Sequence, residues 1–157
     1  MNCNELSEED MIHYVQQDYR NIRDIENPSE VVKLAAVRVH GWAIGFIENP
    51  SEAVKLAAVR NCGVLLEFIE NPSELVKLAA VQQNGHAIRY IKDPSEAVQL
   101  AAVRENAAAI QYIKCPSEAV QLAAVMKNVL VVYYMENLKL SEEVRAYVNL
   151  LMLDIPL

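Results

Sequence analysis

The chain has 157 residues, of which 53% are hydrophobic and only 6% aromatic, and its net charge is −7. This length and composition are typical of one folded domain with an aliphatic core. The charge is concentrated at the ends, with −4 in residues 1–24 and −2 in residues 135–157. Because a protein that binds nucleic acid along its length carries a basic stripe, the nearly neutral middle argues against direct nucleic-acid binding.

The first ten residues are acidic and lack the basic and apolar regions of a secretory signal peptide. No apolar run approaches the ~18 residues of a membrane span. The cysteines, Cys3, Cys62 and Cys115, are widely spaced and form no Cys-x-x-Cys pair or Cys/His metal motif. We therefore expect a cytoplasmic protein with reduced thiols, no membrane association and no metal or other cofactor.

Residues 1–24 are predicted to form an N-terminal cap. Ile12, Val15 and Ile22 lie at positions that Leu, Val and Ile occupy 22 residues later, and Ser7-Glu8 matches a later Ser-Glu pair. The acidic start departs from the later pattern. This combination is expected of a terminal repeat, which is apolar toward the stack and charged toward water.

Residues 25–134 contain a 22-residue unit five times without a gap, starting at Ile25, Ile47, Ile69, Ile91 and Ile113. Self-similarity at a fixed period of roughly 20–50 residues is typical of repeat architectures. The Ala-rich LAAV segment lacks the alternation of a strand, which excludes a leucine-rich repeat. Each unit therefore predicts a helix of about eleven residues, a tight turn and a shorter helix.

The ends of the long helix are predicted from the third unit. The order Asn-Pro-Ser-Glu at residues 71–74 suggests N-cap, N1, N2 and N3. Glu74 at N3 would reach back to the cap residue, and Asn84-Gly85 predicts a left-handed stop. The predicted cap position is occupied in the five units by Asn27, Asn49, Asn71, Asp93 and Cys115.

Two positions change together along the units. The first three units combine Glu26, Glu48 and Glu70 with Lys33, Lys55 and Lys77, whereas the last two combine Lys92 and Lys114 with Gln99 and Gln121. Duplication of two kinds of unit explains this pattern. The alternative explanation is proximity, because two adjacent columns of lysine would repel each other.

Residues 135–157 are predicted to form a C-terminal capping helix, after a short helix at 129–134 that has no polar residue. Either the last helix covers this apolar end, or a second copy pairs with it in a homodimer. The candidate interface residues are Val129, Leu130, Val132, Tyr133 and Leu151. The predicted fold is an all-α solenoid of seven stacked helix pairs in one domain, with degenerate caps at both ends.

Residues that vary between units are the candidates for partner binding, because the recurring residues are committed to packing. Trp42 is the only tryptophan, and Trp and Arg are the commonest binding anchors. The candidate partner-binding residues are Trp42, Arg38, Arg60, His86, Arg89 and Arg104. An alternative is that Trp42 covers the junction with the degenerate N-terminal cap. The column Phe46, Phe68, Tyr90, Tyr112 and Tyr134 is predicted to be structural.

The sequence contains no pattern that indicates catalysis. His13, His40 and His86 lie in different units, and no phosphate-binding glycine loop or metal motif is present. We therefore expect a protein that is not an enzyme.

The string NPSE-x-V-x-LAAV-x-x-NG-x-A-I-x-Y-I resembles a tandem 22-residue helical repeat family of undefined function found in phage, giant-virus and bacterial proteins. The similarity covers residues 25–134, and its LAAV-x-x-NG core is complete in residues 78–85. It implies an α-solenoid of viral or mobile-element origin. The expected function is binding of another protein, specifically inhibition of a host defence protein. The alternatives are a sponge for a small signalling nucleotide, using Arg38, Arg60 and Arg104, and a purely structural scaffold.

Overall fold

A computed structural model describes residues 6–135 and 140–152, and these residues are helical, without strands. Long α-helices alternate with short 3-10 helices, and each pair packs on the next pair along the chain. The α-helices are α1 Glu8–Gln17, α2 Glu30–Val39, α3 Glu52–Asn61, α4 Glu74–Gln83, α5 Glu96–Glu105, α6 Glu118–Lys127 and α7 Glu142–Met152. The 3-10 helices are Tyr19–Asp24, Gly41–Phe46, Gly63–Phe68, Gly85–Tyr90, Ala107–Tyr112 and Val129–Met135.

This architecture confirms the predicted α-solenoid. Of the seven predicted helix pairs, six lie in the described residues, together with α7. A short partner for α7 would fall in residues 153–157, which lie outside the described residues. Cys3 also lies outside them. The 3-10 form follows from i to i+3 bonds, such as Ala87 N–H to the Asn84 carbonyl at 2.9 Å. Within each pair, the short helix packs against the long one over the same core.

The core consists of columns of equivalent apolar residues. On α4, Val76, Ala80 and Val81 are fully buried, and on the following 3-10 helix Ala87 and Ile88 are buried beside them. The equivalent residues of the neighbouring units are buried in the same way, and in the first unit Val15 and Ile22 continue the columns. Residues 6–24 therefore pack as a sixth repeat despite their divergent surface.

The residue that caps each long helix is serine, and the predicted asparagine cap is wrong. Ser73 has extended backbone, and its Oγ accepts a hydrogen bond from the Val76 N–H at 3.2 Å. Glu74 is therefore the first helical residue, not the third. Equivalent serine caps begin α2, α3, α5 and α6.

The asparagine two residues before the serine has a different role. Asn71 has a φ of 47°, which lies in the left-handed region. The equivalent residues Asn27, Asn49 and Asp93 are left-handed as well. Asn and Asp tolerate this region better than other residues with a side chain. Among the described residues these four are the non-glycine residues with positive φ, so Cys115 in the fifth unit is not left-handed.

The turn between the helices also differs from the prediction. Asn84 has extended backbone with a φ of −152°, and no glycine in the described residues has a positive φ. Gly85 is required by close approach instead, because a Cβ there would lie 2.5 Å from the Ala102 carbonyl oxygen of the next unit. The glycine therefore serves stacking between units rather than a left-handed stop.

The glutamate that begins each of the helices α1 to α5 bridges to the next unit. The Ser29 hydroxyl donates to the Glu8 carboxylate at 2.5 Å, linking the starts of α2 and α1. The same bridge joins Ser51 to Glu30, Ser73 to Glu52, Ser95 to Glu74 and Ser117 to Glu96. The described residues contain no such bond from Ser141 to Glu118. Each bridge holds two neighbouring helix starts in register.

The last helix partly covers the end of the solenoid. Val144 and Val148 of α7 are buried, and Val129 and Val132 are half-buried against the core. Capping by α7 is therefore part of the fold. Leu130 and Tyr133 nevertheless remain 53% and 60% exposed.

The left-handed asparagines generate the first testable prediction. Asn71→Ala is expected to lower the free energy of unfolding by about 1–2 kcal/mol, because alanine is strained at positive φ. Asn71→Gly should cost less than the alanine variant, because glycine adopts this region freely. Urea denaturation measures both. Cys115→Ala, at the equivalent position without positive φ, is the control and should be nearly neutral; equal losses in Asn71→Ala and Cys115→Ala would contradict the assignment.

The Ser–Glu bridges generate a second prediction. Glu52→Ala removes an acceptor from the Ser73 hydroxyl and should cost about 0.5–1.5 kcal/mol, as for a typical hydrogen bond. Glu118→Ala removes a carboxylate from the same helix position without such a bridge, so it reports the helix-dipole contribution alone. In thermal unfolding, the midpoint temperature of the Glu52→Ala variant should be lower than that of the Glu118→Ala variant. The reverse order would contradict a stabilising bridge.

A third prediction concerns Asp18, which caps the first 3-10 helix. Hydrogen bonds from the Arg20 side chain, and then from the Arg20 N–H at 2.9 Å, lower the pKa of Asp18 from 3.8 to about 2. Because the folded pKa is depressed, the stabilisation is present above pH 3.8 and is lost as the pH falls through about 2. Arg20→Gln should raise the pKa of Asp18 toward 3.8, measured by NMR titration of its carboxyl carbon. An unchanged pKa in this variant would mean that the guanidinium is not the main cause.

Candidate functional site

The exposed side of the 3-10 helices, which we call the short-helix face, carries an unusual amount of apolar surface. Twelve large hydrophobic side chains are exposed in the described residues, and seven of them belong to 3-10 helices. These seven are Trp42, Phe46, Phe68, Tyr112, Leu130, Tyr133 and Tyr134. Contiguous exposed apolar surface of this kind marks interaction sites. The short-helix face is therefore the leading candidate for binding.

Phe46, Phe68, Tyr90, Tyr112 and Tyr134 form what we call the aromatic column. This column is predicted to be structural; Tyr90 is half-buried and packs against the core, whereas Phe46, Phe68 and Tyr112 are 40%, 45% and 38% exposed. The core is filled instead by the isoleucines beside them, such as Ile88 and Ile91. The two columns share a period, and the sequence alone does not tell which of two apolar columns faces inward.

Trp42 is 52% exposed and contacts the aromatic column. Its ring meets the Phe68 ring edge-on, with centroids 5.6 Å apart. Two units later, His86 makes the same kind of contact with Tyr112 at 5.7 Å. In both cases the residue just after the turn touches the ring of the following unit. Trp42 therefore makes its ring contact with the following unit and not with the N-terminal cap. It is part of the short-helix face.

The predicted cluster of Trp42 with Arg38 and Arg60 is divided between two places. Arg38 and Arg60 are exposed and line a common groove of about 510 Å³ with Leu34, Leu56 and other residues of α2 and α3. Trp42 does not line that groove. Arg104 is exposed on α5 and lines neither this groove nor the others described below.

His86 and Arg89 are both engaged with neighbours. His86 is half-buried, with its Nδ1 3.2 Å from the Asn106 Nδ2. The Arg89 guanidinium lies over the Tyr90 ring at 4.6 Å and donates a hydrogen bond to the Tyr90 hydroxyl. That hydrogen bond raises the pKa of Arg89 above its ordinary value, so the guanidinium keeps its charge. Arg89 is thereby positioned beside the aromatic column.

Sequence reasoning missed a set of grooves between the loops of consecutive units. We call one the glutamate groove; it has a volume of about 590 Å³ and is lined by Glu48, Lys55, Phe68 and Glu70 among others. We call another the lysine groove; it has a volume of about 720 Å³ and is lined by Arg89, Lys92, Gln99, Tyr112 and Lys114 among others. The covariation of Glu with Lys and of Lys with Gln is the signal that could have found them.

The C-terminal candidate residues are also divided by the structure. Val129, Val132 and Leu151 are half-buried, and α7 packs on α6 and on the last 3-10 helix. Leu130 and Tyr133 are exposed and extend the short-helix face to its end. The part of this end that α7 leaves open is therefore continuous with the aromatic column.

Within residues 6–135 and 140–152, no group of three or more His, Cys, Asp or Glu side chains is arranged to hold a metal ion. None of the described helices has the length and apolarity needed to cross a membrane. The chain matches no protein-family model, no curated protein and no solved structure.

Proposed function

We propose that this protein is a non-enzymatic binding α-solenoid whose short-helix face recognises another protein. The observation that carries the proposal is the exposed aromatic column, joined at one end by Trp42 and at the other by Leu130 and Tyr133. Aromatic side chains supply a large contact area and dominate protein interfaces. Solenoids commonly use such a repeated surface for extended binding.

The composition of this face favours a protein partner over a purely structural role. A scaffold whose surface only faces water has no reason to expose Trp42 and Phe68 side by side. The centre of an interface is apolar and aromatic with a polar rim. Arg23, which lies 5.1 Å from the centre of the Phe46 ring, and Arg89 over Tyr90 supply charged groups beside the aromatic column.

We further propose that the partner is a host protein and that binding inhibits it, which rests on the resemblance of the repeats to those of phage and mobile-element proteins. The protein would then act in the host cytoplasm. An inhibitor of this kind needs no active site, because covering a partner's surface is sufficient.

The experiment is capture of a partner from bacterial lysate by the purified protein and by two variants. Trp42→Ala with Phe68→Ala removes the central aromatic contact of the short-helix face, and loss of a binding hot spot should weaken capture by about 30-fold. Leu75→Ala is the matched control: Leu75 is 55% exposed on α4, and alanine stands at its position in three other units. A partner captured in stoichiometric amount by the original protein and the control, but not by the aromatic variant, supports the proposal.

Two outcomes would contradict it. Equal capture by all three proteins would place the binding surface elsewhere. Absence of any stoichiometric partner, with the variants folded as judged by circular dichroism, would leave the structural scaffold as the better account. Where a partner enzyme is captured, its activity in the presence of the protein tests the inhibitory role.

A further inference from the structure

The loop edge of the solenoid changes its charge between the third and fourth units. Glu26, Glu48 and Glu70 precede the left-handed residue in the first three units, and Lys92 and Lys114 take this position in the last two. All five residues are exposed. The edge therefore presents carboxylates in one half and ammonium groups in the other.

The two grooves on this edge differ in how their charges are compensated. In the glutamate groove, two carboxylates face Lys55, whose Nζ lies 3.3 Å from the Glu70 carbonyl oxygen. In the lysine groove, three cations, Arg89, Lys92 and Lys114, face one carboxylate, that of Asp93. Nowhere in the described ranges do these three cations form an ion pair with a carboxylate. The lysine groove is thus an uncompensated cationic site.

Gln99 does not bridge the lysine groove. Its Nε2 donates to the Pro94 carbonyl of its own unit at 2.9 Å, so the side chain folds back instead of crossing to the next loop as Lys55 does. Its Oε1 is buried without a hydrogen-bond partner. A buried acceptor without a donor is costly.

One wall of the lysine groove is aromatic. Tyr112 is 38% exposed there, and His86 packs edge-on against its ring. Tyr90, covered by the Arg89 guanidinium, lies beside it. A tyrosine face next to three cations suits a ligand that combines a planar ring with phosphate groups, because bases stack on aromatic rings and phosphates pair with Lys and Arg.

We infer that the lysine groove binds a phosphate-bearing nucleotide, with its base against Tyr112 and its phosphates on Lys92, Lys114 and Arg89. The groove volume of about 720 Å³ is that of a small-molecule site. An acidic protein segment is the less favoured ligand, because the cationic surface is confined to one junction and the loops before it are acidic. This site is separate from the groove between α2 and α3 that is lined by Arg38 and Arg60. It does not depend on the proposed protein partner.

Calorimetry on the purified protein at low salt tests the inference with ADP, adenosine, inorganic pyrophosphate and a hexaglutamate peptide. The expected result is binding of ADP that is tighter than that of adenosine, pyrophosphate or the peptide, and that weakens as salt is added. Lys92→Glu with Lys114→Glu should weaken ADP binding at least 30-fold. Both changes introduce glutamate, which is the residue at the equivalent position of the first three units, so folding should be preserved.

Two further variants make the test specific. Arg38→Glu with Arg60→Glu changes the net charge by the same amount in the other groove and should leave ADP binding within twofold. Tyr112→Ala should weaken ADP binding about tenfold and leave pyrophosphate binding unchanged, because only the base contacts the ring.

The inference is overturned if ADP does not bind, or if the two charge-reversed variants lose binding equally. It is also overturned if pyrophosphate binds as tightly as ADP with no effect of Tyr112→Ala, which would make the groove a simple anion site. Binding of the glutamate peptide in preference to ADP would assign the groove to an acidic protein partner. Since no lysate partner is involved, these outcomes are distinguishable from failure of the proposed function.

Discussion

Helices of ten residues cannot persist alone in water, and the dependence of each helix on its neighbours is the constraint on which this structure rests. The solution is contact between equivalent positions. The buried Val76, Ala80 and Val81 of α4 face their counterparts on α3 and α5. The Ser–Glu bridges join one helix start to the next, and Gly85 allows the following unit to approach closely. The recurring residues are those that a neighbouring unit must contact.

This constraint divides the surface of the molecule. The fully buried residues of the long helices recur from unit to unit, whereas side chains that are partly or fully exposed differ between units. Trp42 and His86 occupy one such free position and contact the aromatic column of the following unit. Lys92 and Lys114 occupy another, on the loop edge. A stack of nearly identical units can therefore carry an exposed aromatic face along its length and, at one junction, a cationic groove that shares Arg89 and Tyr112 with that face.

The errors at the helix boundaries have a common physical origin. Asn71, Pro72 and Ser73 each have a role at a helix start, and the cap was assigned to the first of them. Asn71, with a φ of 47°, lies outside the helix two residues before the cap, and the Ser73 hydroxyl caps it. Asn84-Gly85 combines two residues common in left-handed turns, yet Gly85 is selected by the Ala102 carbonyl of the next unit. Local propensity carried no information about that contact.

The sequence by itself determined the repeat, its period and the helical class, because periodic apolar residues report directly which positions must be buried. Tertiary structure alone decided how far the rings of the aromatic column are exposed. It also decided that Trp42 and Arg38 belong to different surfaces, and that Lys92, Lys114 and Arg89 surround one groove. The reason is geometric: period identifies equivalent residues, but only the rotation of each short helix and its offset from the next unit determine which side chains from different columns meet.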